Sequence, residues 1–195
     1  LYFGSARVVP GNYQVRLKVK GGASQTRSFE VRKDPRLKNV KQQDFTERYD
    51  LAKAIGDSLN SIYDAIRTIR SVREQMNALA YHAKEAGHDF SEIQHLADTI
   101  TSTLSDFEGE LMQVKIEGRG DALNFPPQLI NEYHYLYTYV NFAVPPTEGA
   151  YERYSDLNEQ WSMLRKRLHK LLNTKVARFN QKVDELGEPV FIPGQ

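Results

Sequence analysis

Between residues 33 and 45 the apolar side chains of this sequence change period, and that change constrains the fold more than any other feature. Before it, Tyr13, Val15, Leu17 and Val19 alternate with Gln14, Arg16, Lys18 and Lys20, the period of two of a strand with one buried face. After it, Ala52, Ile55, Leu59, Ile62, Ile66, Ile69 and Met76 recur at helical spacing, with Arg73 falling in the stripe. Two strands running straight into long heptad helices are a misfit, because an isolated hairpin is marginal in water. The strands either pack on the helices or belong to a larger sheet.

The expected strands cover 12–20 and 25–33, with Gly21-Gly22 starting the turn and Phe29 and Val31 continuing the apolar face. Asp34-Pro35-Arg36 ends the sheet, since proline donates no ladder hydrogen bond and restricts the residue before it. The first helix is expected over about 43–85, and at about 1.5 Å per residue it reaches roughly 60 Å. Gly87 closes it, and Asp89 with Glu92 resembles a capping box for a second helix over 90–116 that lies antiparallel to the first. Ile93, Ala97, Ile100, Leu104, Phe107, Leu111 and Val114 carry that helix's stripe.

The third element, 127–142, is ambiguous, because Tyr133, Tyr135, Tyr137 and Tyr139 alternate as in a strand. Leu129, Tyr133, Leu136, Tyr137 and Val140 also form one helical face, and Pro126-Pro127 suits a helix start, which favours helix. Pro145-Pro146 ends it, and Thr147 can cap a fourth helix over 147–186 whose heptads run through Tyr154, Leu157, Trp161, Leu164, Leu168 and Leu171 to Phe179 and Val183. Gly187 and Pro189 stop that helix, and the apolar tail Val190-Phe191-Ile192-Pro193 is extended, placed either to add to the hairpin's sheet or to seal the bundle. The expected fold is mainly α: an antiparallel four-helix bundle with coiled-coil-like helices and a short N-terminal hairpin.

Charge divides the chain the same way. Residues 1–41 carry ten Lys or Arg against Glu30 and Asp34, a balance of +8, and the remainder carries 16 against 23, a balance of −7. Docking of the two parts on each other explains this more simply than a nucleic-acid site, and the strands lack the interleaved exposed aromatics of a single-strand platform. The absence of cysteine excludes disulfides, thiol nucleophiles and cysteine-based zinc sites. No apolar run approaches the ~20 residues of a membrane span.

Catalytic constellations do not assemble. A di-iron bundle needs two Glu-x-x-His pairs, and Glu92-Ile93-Gln94-His95 is the one pair present, with Glu92 better used as a cap. His82, His88, His134 and His169 stand singly. Glu108 and Glu110 are two apart and do not share a helix face, while Glu117 and Asp121 sit in a Gly-rich turn. There is no nucleophile elbow, and Gly118-Arg119-Gly120 lacks the strand and lysine of a phosphate loop. No catalytic residue, metal ligand or cofactor is assigned.

Two surfaces are candidates for interaction. One is the tyrosine cluster Tyr133, Tyr135, Tyr137, Tyr139 and Tyr151, since tyrosine offers rigid contact area with a polar tip. The plainer reading has these rings filling a wide bundle end around Trp161. The other is the basic run Arg165, Lys166 and Arg167, continued by His169, Lys170, Lys175, Arg178 and Lys182; cations late in a helix also simply complement its dipole.

Two resemblances follow from these residues. The stretch Pro10-Gly11-x-Tyr13-x-Val15-x-Leu17-x-Val19 is similar to the closing strands of immunoglobulin-like or fibronectin-like modules. With the strand end Phe29-Glu-Val-Arg-Lys-Asp-Pro-Arg36, the segment Leu104-Ser-Asp-Phe-Glu-Gly-Glu-Leu111 and Leu123-Asn-Phe-Pro126, the chain after Ala6 resembles the C-terminal region of bacterial sortilin-like β-propeller proteins, often labelled glycosyl hydrolases with BNR-type repeats. Leu1-Tyr2-Phe3-Gly4-Ser5 looks like a protease-site and cloning scar. The family implies a secreted or periplasmic protein with an upstream propeller that would hold any hydrolase chemistry. This chain is then a non-catalytic scaffold or interaction module whose residues 6–36 end a truncated sandwich and whose residues 37–195 form the bundle. Its partners are the propeller or another protein, with a homodimer through the hairpin edge or long helices as a further option. A coiled-coil adaptor, or a piece of a glycoside hydrolase, are the alternatives.

Overall fold

The structure, a computed structural model, describes residues 5–85, 91–115, 117, 118, 120, 124–142 and 144–185, with side chains at 80 and 82–85 left out. It is a mainly helical bundle with a two-stranded antiparallel hairpin at the N-terminus. The elements are β1 (Gly11–Lys18), β2 (Ser24–Val31), α1 (Gln42–Glu85), α2 (Ser91–Leu111), α3 (Leu129–Phe142), α4 (Glu148–Leu171) and, after a π turn, α5 (Ala177–Glu185). Gly87, Asp89, Asp121, Gly187, Pro189 and the tail 190–193 lie outside the described residues.

By packing, the chain falls into two compact units, Leu1–Asp57 with Tyr135–Tyr154, and Ser58–His134 with Ser155–Gln195. In the first unit β1 and β2 pair from Gly11↔Val31 to Lys18↔Ser24. β1 stops two residues short of its expected end because the Val19 carbonyl already accepts the Gly22 N–H at 3.0 Å, closing the turn over Lys20 and Gly21, and β2 ends two residues early at Val31, opposite Gly11 where β1 begins. Gly21 sits at φ +77°, the second central position of a type II turn, where a side chain would be strained. Opposed residues share a face, so Tyr13, Val15 and Leu17 lie on one side with Gln25, Arg27, Phe29 and Val31, and Tyr13 stacks on Phe29 at 5.9 Å. That face was expected to be buried. Instead Val15, Leu17 and Phe29 are 57, 66 and 48% exposed.

A short strap ties the ribbon to the helices of its unit. The Tyr13 hydroxyl donates to the Val9 carbonyl at 2.6 Å and Gln42 to the Pro10 carbonyl at 2.8 Å. Arg48, buried on α1, donates to the carbonyls of Arg7 (2.6 Å) and Val8 (3.1 Å), and the Arg7 N–H donates to Asn141 Oδ1 on α3 at 2.9 Å. The Arg7 guanidinium lies 3.8 Å over the Phe142 ring. Burial, reinforced by the Arg7 charge, lowers the Arg48 pKa, so main-chain carbonyls rather than a carboxylate balance this cation. After β2, Asp34 accepts the Arg36 N–H and guanidinium, which holds its carboxyl at about 2 and turns the chain toward α1.

The helix starts follow local chemistry. Asp44 reaches back to the Lys41 N–H at 2.7 Å and Asn131 to the Gln128 N–H at 3.0 Å, the return half of a capping box. α3 resolves the ambiguous segment as helix, with Leu129, Tyr133, Leu136, Tyr137 and Val140 all buried. Thr147 precedes α4 and its carbonyl accepts the Ala150 N–H. α2 ends at Leu111 rather than near 116, since the Gln113 side chain takes the Lys115 N–H at 3.2 Å and competes with further helix.

In the second unit the α1 seam is Leu59, Ile62, Ile66, Ile69, Val72 and Met76. Val72, not Arg73, keeps the stripe, and Arg73 turns to Glu108 on α2. Contacts between α2 and the last helices run in opposite order, Arg167 with Glu110, Lys175 with Thr103, Lys182 with Glu92, so these elements are antiparallel. α4 was expected to continue to about 186, but Leu172–Val176 form a π turn. The buried positions explain it: Leu157, Trp161, Leu164 and Leu168 are followed by Val176, Phe179 and Val183, one residue later than an unbroken heptad allows. Unbroken spacing would turn Lys175, Arg178 and Lys182 toward the core.

Candidate functional site

The second unit holds an open groove of about 600 Å³ between α1 and α2. Beneath it lies a carboxylate clamped by two guanidiniums. Glu108, 4% exposed, accepts from Arg70 Nε (2.7 Å) on Oε1 and from Arg73 Nη1 (2.7 Å) on Oε2, with Arg70 Nη2 in ion-pair contact 2.6 Å from Oε1. Met112 Sδ meets Arg70 Nη2 at 3.4 Å. Removing a buried carboxylate from water is costly unless paired, and here two cations share one anion. The arginines keep outward donors, with 53% and 32% of their side chains exposed. Glu74, Asn77, Ser105 and Gln113 complete the polar lining.

Glu108 was read in the sequence only as one half of a failed pair with Glu110. The two do point to different partners, since Glu110 is bound by Arg167, whose guanidinium also lies 4.7 Å over the Phe107 ring. A signal for the clamp was present: Arg73 and Glu108 are charged residues falling within or beside apolar stripes on successive helices.

The five tyrosines divide by face. Tyr133 and Tyr137 are buried (0 and 8% exposed), whereas Tyr135, Tyr139 and Tyr151 stand at 81, 46 and 42%. The Tyr139 hydroxyl lies 3.4 Å from Thr147 Oγ1. Burial, then the charges of Glu47 and Asp50, raises the Tyr151 pKa. Of the basic run, Arg165 and Lys166 are exposed, while Arg167, Lys175 and Lys182 are occupied by α2 as described.

His134 is half-buried with Nε2 2.9 Å from the Tyr63 hydroxyl, and burial lowers its pKa to about 4. Glu92 sits exposed in the first turn of α2, 3.7 Å from Lys182, and His95 is exposed, so that pair faces away from the core. Among the described residues, no group of three His, Asp or Glu could hold a metal ion. Among them also, no helix is long and apolar enough to cross a membrane.

Comparison of the chain with protein-family models, with curated proteins and with solved structures finds no match.

Proposed function

We propose that this chain is a non-catalytic scaffold or protein-interaction module, the C-terminal part of an exported sortilin-like β-propeller protein. In this reading the hairpin is the last ribbon of an immunoglobulin-like sandwich carried by the helices. The observation that carries it is the exposed face on which Val15, Leu17 and Phe29 lie with half-buried Tyr13, interrupted by Gln25 and Arg27 on the same side and backed on the other by Gln14, Arg16, Lys18, Thr26, Ser28 and Glu30. An amphipathic sheet face of this kind is the inner layer of a sandwich, where a second sheet about 10 Å away would cover it. The bond from the Tyr13 hydroxyl to a carbonyl four residues upstream supports the same origin, because a tyrosine corner closes such strands in this way.

The helical seam argues against a coiled-coil adaptor. Leu59, Ile62, Ile66 and Ile69 are already buried within the chain itself, and this seam leaves no free heptad stripe for a partner helix among the described residues. Tyr135, Tyr139 and Tyr151 in the first unit, and separately Arg165 and Lys166 in the second, are exposed for contact with a partner.

Amide exchange over 13–31 tests this, comparing the chain alone with the protein extended by the sequence encoded before Ala6. The proposal expects strong added protection there, and propeller repeats with an export signal in that upstream sequence. Unchanged exchange in the extended protein, or hydrolytic turnover by the chain alone, overturns it.

A further inference from the structure

The groove over Glu108 carries opposite charges that do not neutralise each other. Arg70 and Arg73 share one carboxylate, which leaves one positive charge in excess. Glu74 lines the same groove and makes no ion pair with any described residue. On α1 it follows Arg70 by four residues, the weaker orientation for a helical ion pair, and Arg70 is turned to Glu108 instead. One excess cation and one unpaired carboxylate thus open into one cavity.

The cationic side is fixed before any ligand arrives. Arg70 is held by one hydrogen bond and a further ion-pair contact to Glu108 and by a contact to Met112, and Arg73 by one hydrogen bond. A guanidinium has five donors, so both retain free N–H groups for an oxyanion. Groups locked in place by a buried partner lose little freedom on binding. The cavity volume, about 600 Å³, lies within the range of small-ligand sites, and Asn77, Ser105 and Gln113 offer neutral donors and acceptors between the charged ends.

We propose that this groove binds a zwitterionic peptide-like ligand, a short peptide or a free amino acid, with its carboxylate on Arg70 and Arg73 and its ammonium on Glu74. An anion alone would meet Glu74 unneutralised, and a cation alone would meet the two arginines. A ligand bearing both signs satisfies each.

Titration calorimetry with trialanine, N-acetyl-trialanine, trialanine amide and alanine tests the assignment. Saturable binding is expected for trialanine or alanine, the tighter one giving the ligand's size. Blocking either terminus of the peptide should weaken binding roughly tenfold or more, the ordinary worth of one charge-assisted hydrogen bond. Glu74→Gln, on an outward position of α1, should weaken trialanine to a similar extent while leaving the N-acetyl peptide unchanged. Arg70→Gln should weaken the N-acetyl peptide and leave the amide unchanged. No saturable binding by either zwitterion, or equal affinity for free and blocked peptides, overturns the proposal.

Discussion

The hairpin and the helical seam are built from the same kinds of residue and end in opposite states. Leu17 and Leu104 each occupy an apolar position in a regular pattern, yet Leu17 is 66% exposed and Leu104 fully buried. The α2 stripe, Ile93, Ala97, Ile100, Leu104, Phe107 and Leu111, finds cover along its whole length. Each strand of the two-stranded ribbon has one neighbour, and among the described residues Val15, Leu17 and Phe29 on its face stay exposed. Amphipathic patterning therefore specifies which side seeks cover, while the number of layers decides whether cover is found.

The largest break in that comparison should come from Leu104→Ala. Denaturant unfolding should show a loss of about 2–5 kcal/mol, the transfer and cavity cost of a buried leucine. Arg48→Met should come next, at about 1–3 kcal/mol, because the carbonyls of Arg7 and Val8 lose their donor. Its signature is local: amide exchange should quicken over the hairpin while the α2 amides stay protected. Gly21→Ala forces a side chain into a left-handed conformation and should cost about 1–2 kcal/mol in hairpin protection alone.

A smaller effect separates the regions by pH. His134 has a folded pKa near 4, below its ordinary 6.5, so the unfolded chain binds the proton first. Stability should be highest above about pH 6.5 and fall as pH drops toward 4. His134→Gln should flatten that slope in unfolding midpoints measured across this window. Smallest of all is Leu17→Ala, expected within about 0.5 kcal/mol of the parent because the side chain is already in water. A loss as large as that of Leu104→Ala would mean that the hairpin face is covered in solution.

Much of this was legible in the sequence. The seams of α1, α2 and α4 follow from spacing alone, and the choice of helix over strand for α3 rests on Leu129, Tyr133, Leu136, Tyr137 and Val140, all buried. Arg48 was not legible, because its role depends on the carbonyls of Arg7 and Val8, forty residues away and without side-chain signature. The Glu108 clamp was half visible. Arg73 interrupts one stripe and Glu108 stands in another, but pairing them requires the register between two helices, which no local pattern contains. The exposure of the hairpin face was hidden for the same reason: alternation reports a preference for cover and carries no information about what lies above.

The π turn at Leu172–Val176 leaves a mark that compared sequences would carry. Val176, Phe179 and Val183 and their neighbours Lys175, Arg178 and Lys182 are two interleaved sets, one apolar and one cationic, offset by a single position. Chain length between Leu168 and Val176 selects which set faces inward. A relative shorter by one residue in that interval must exchange the two sets' chemical character, so length there and residue type downstream should vary together as one inherited unit.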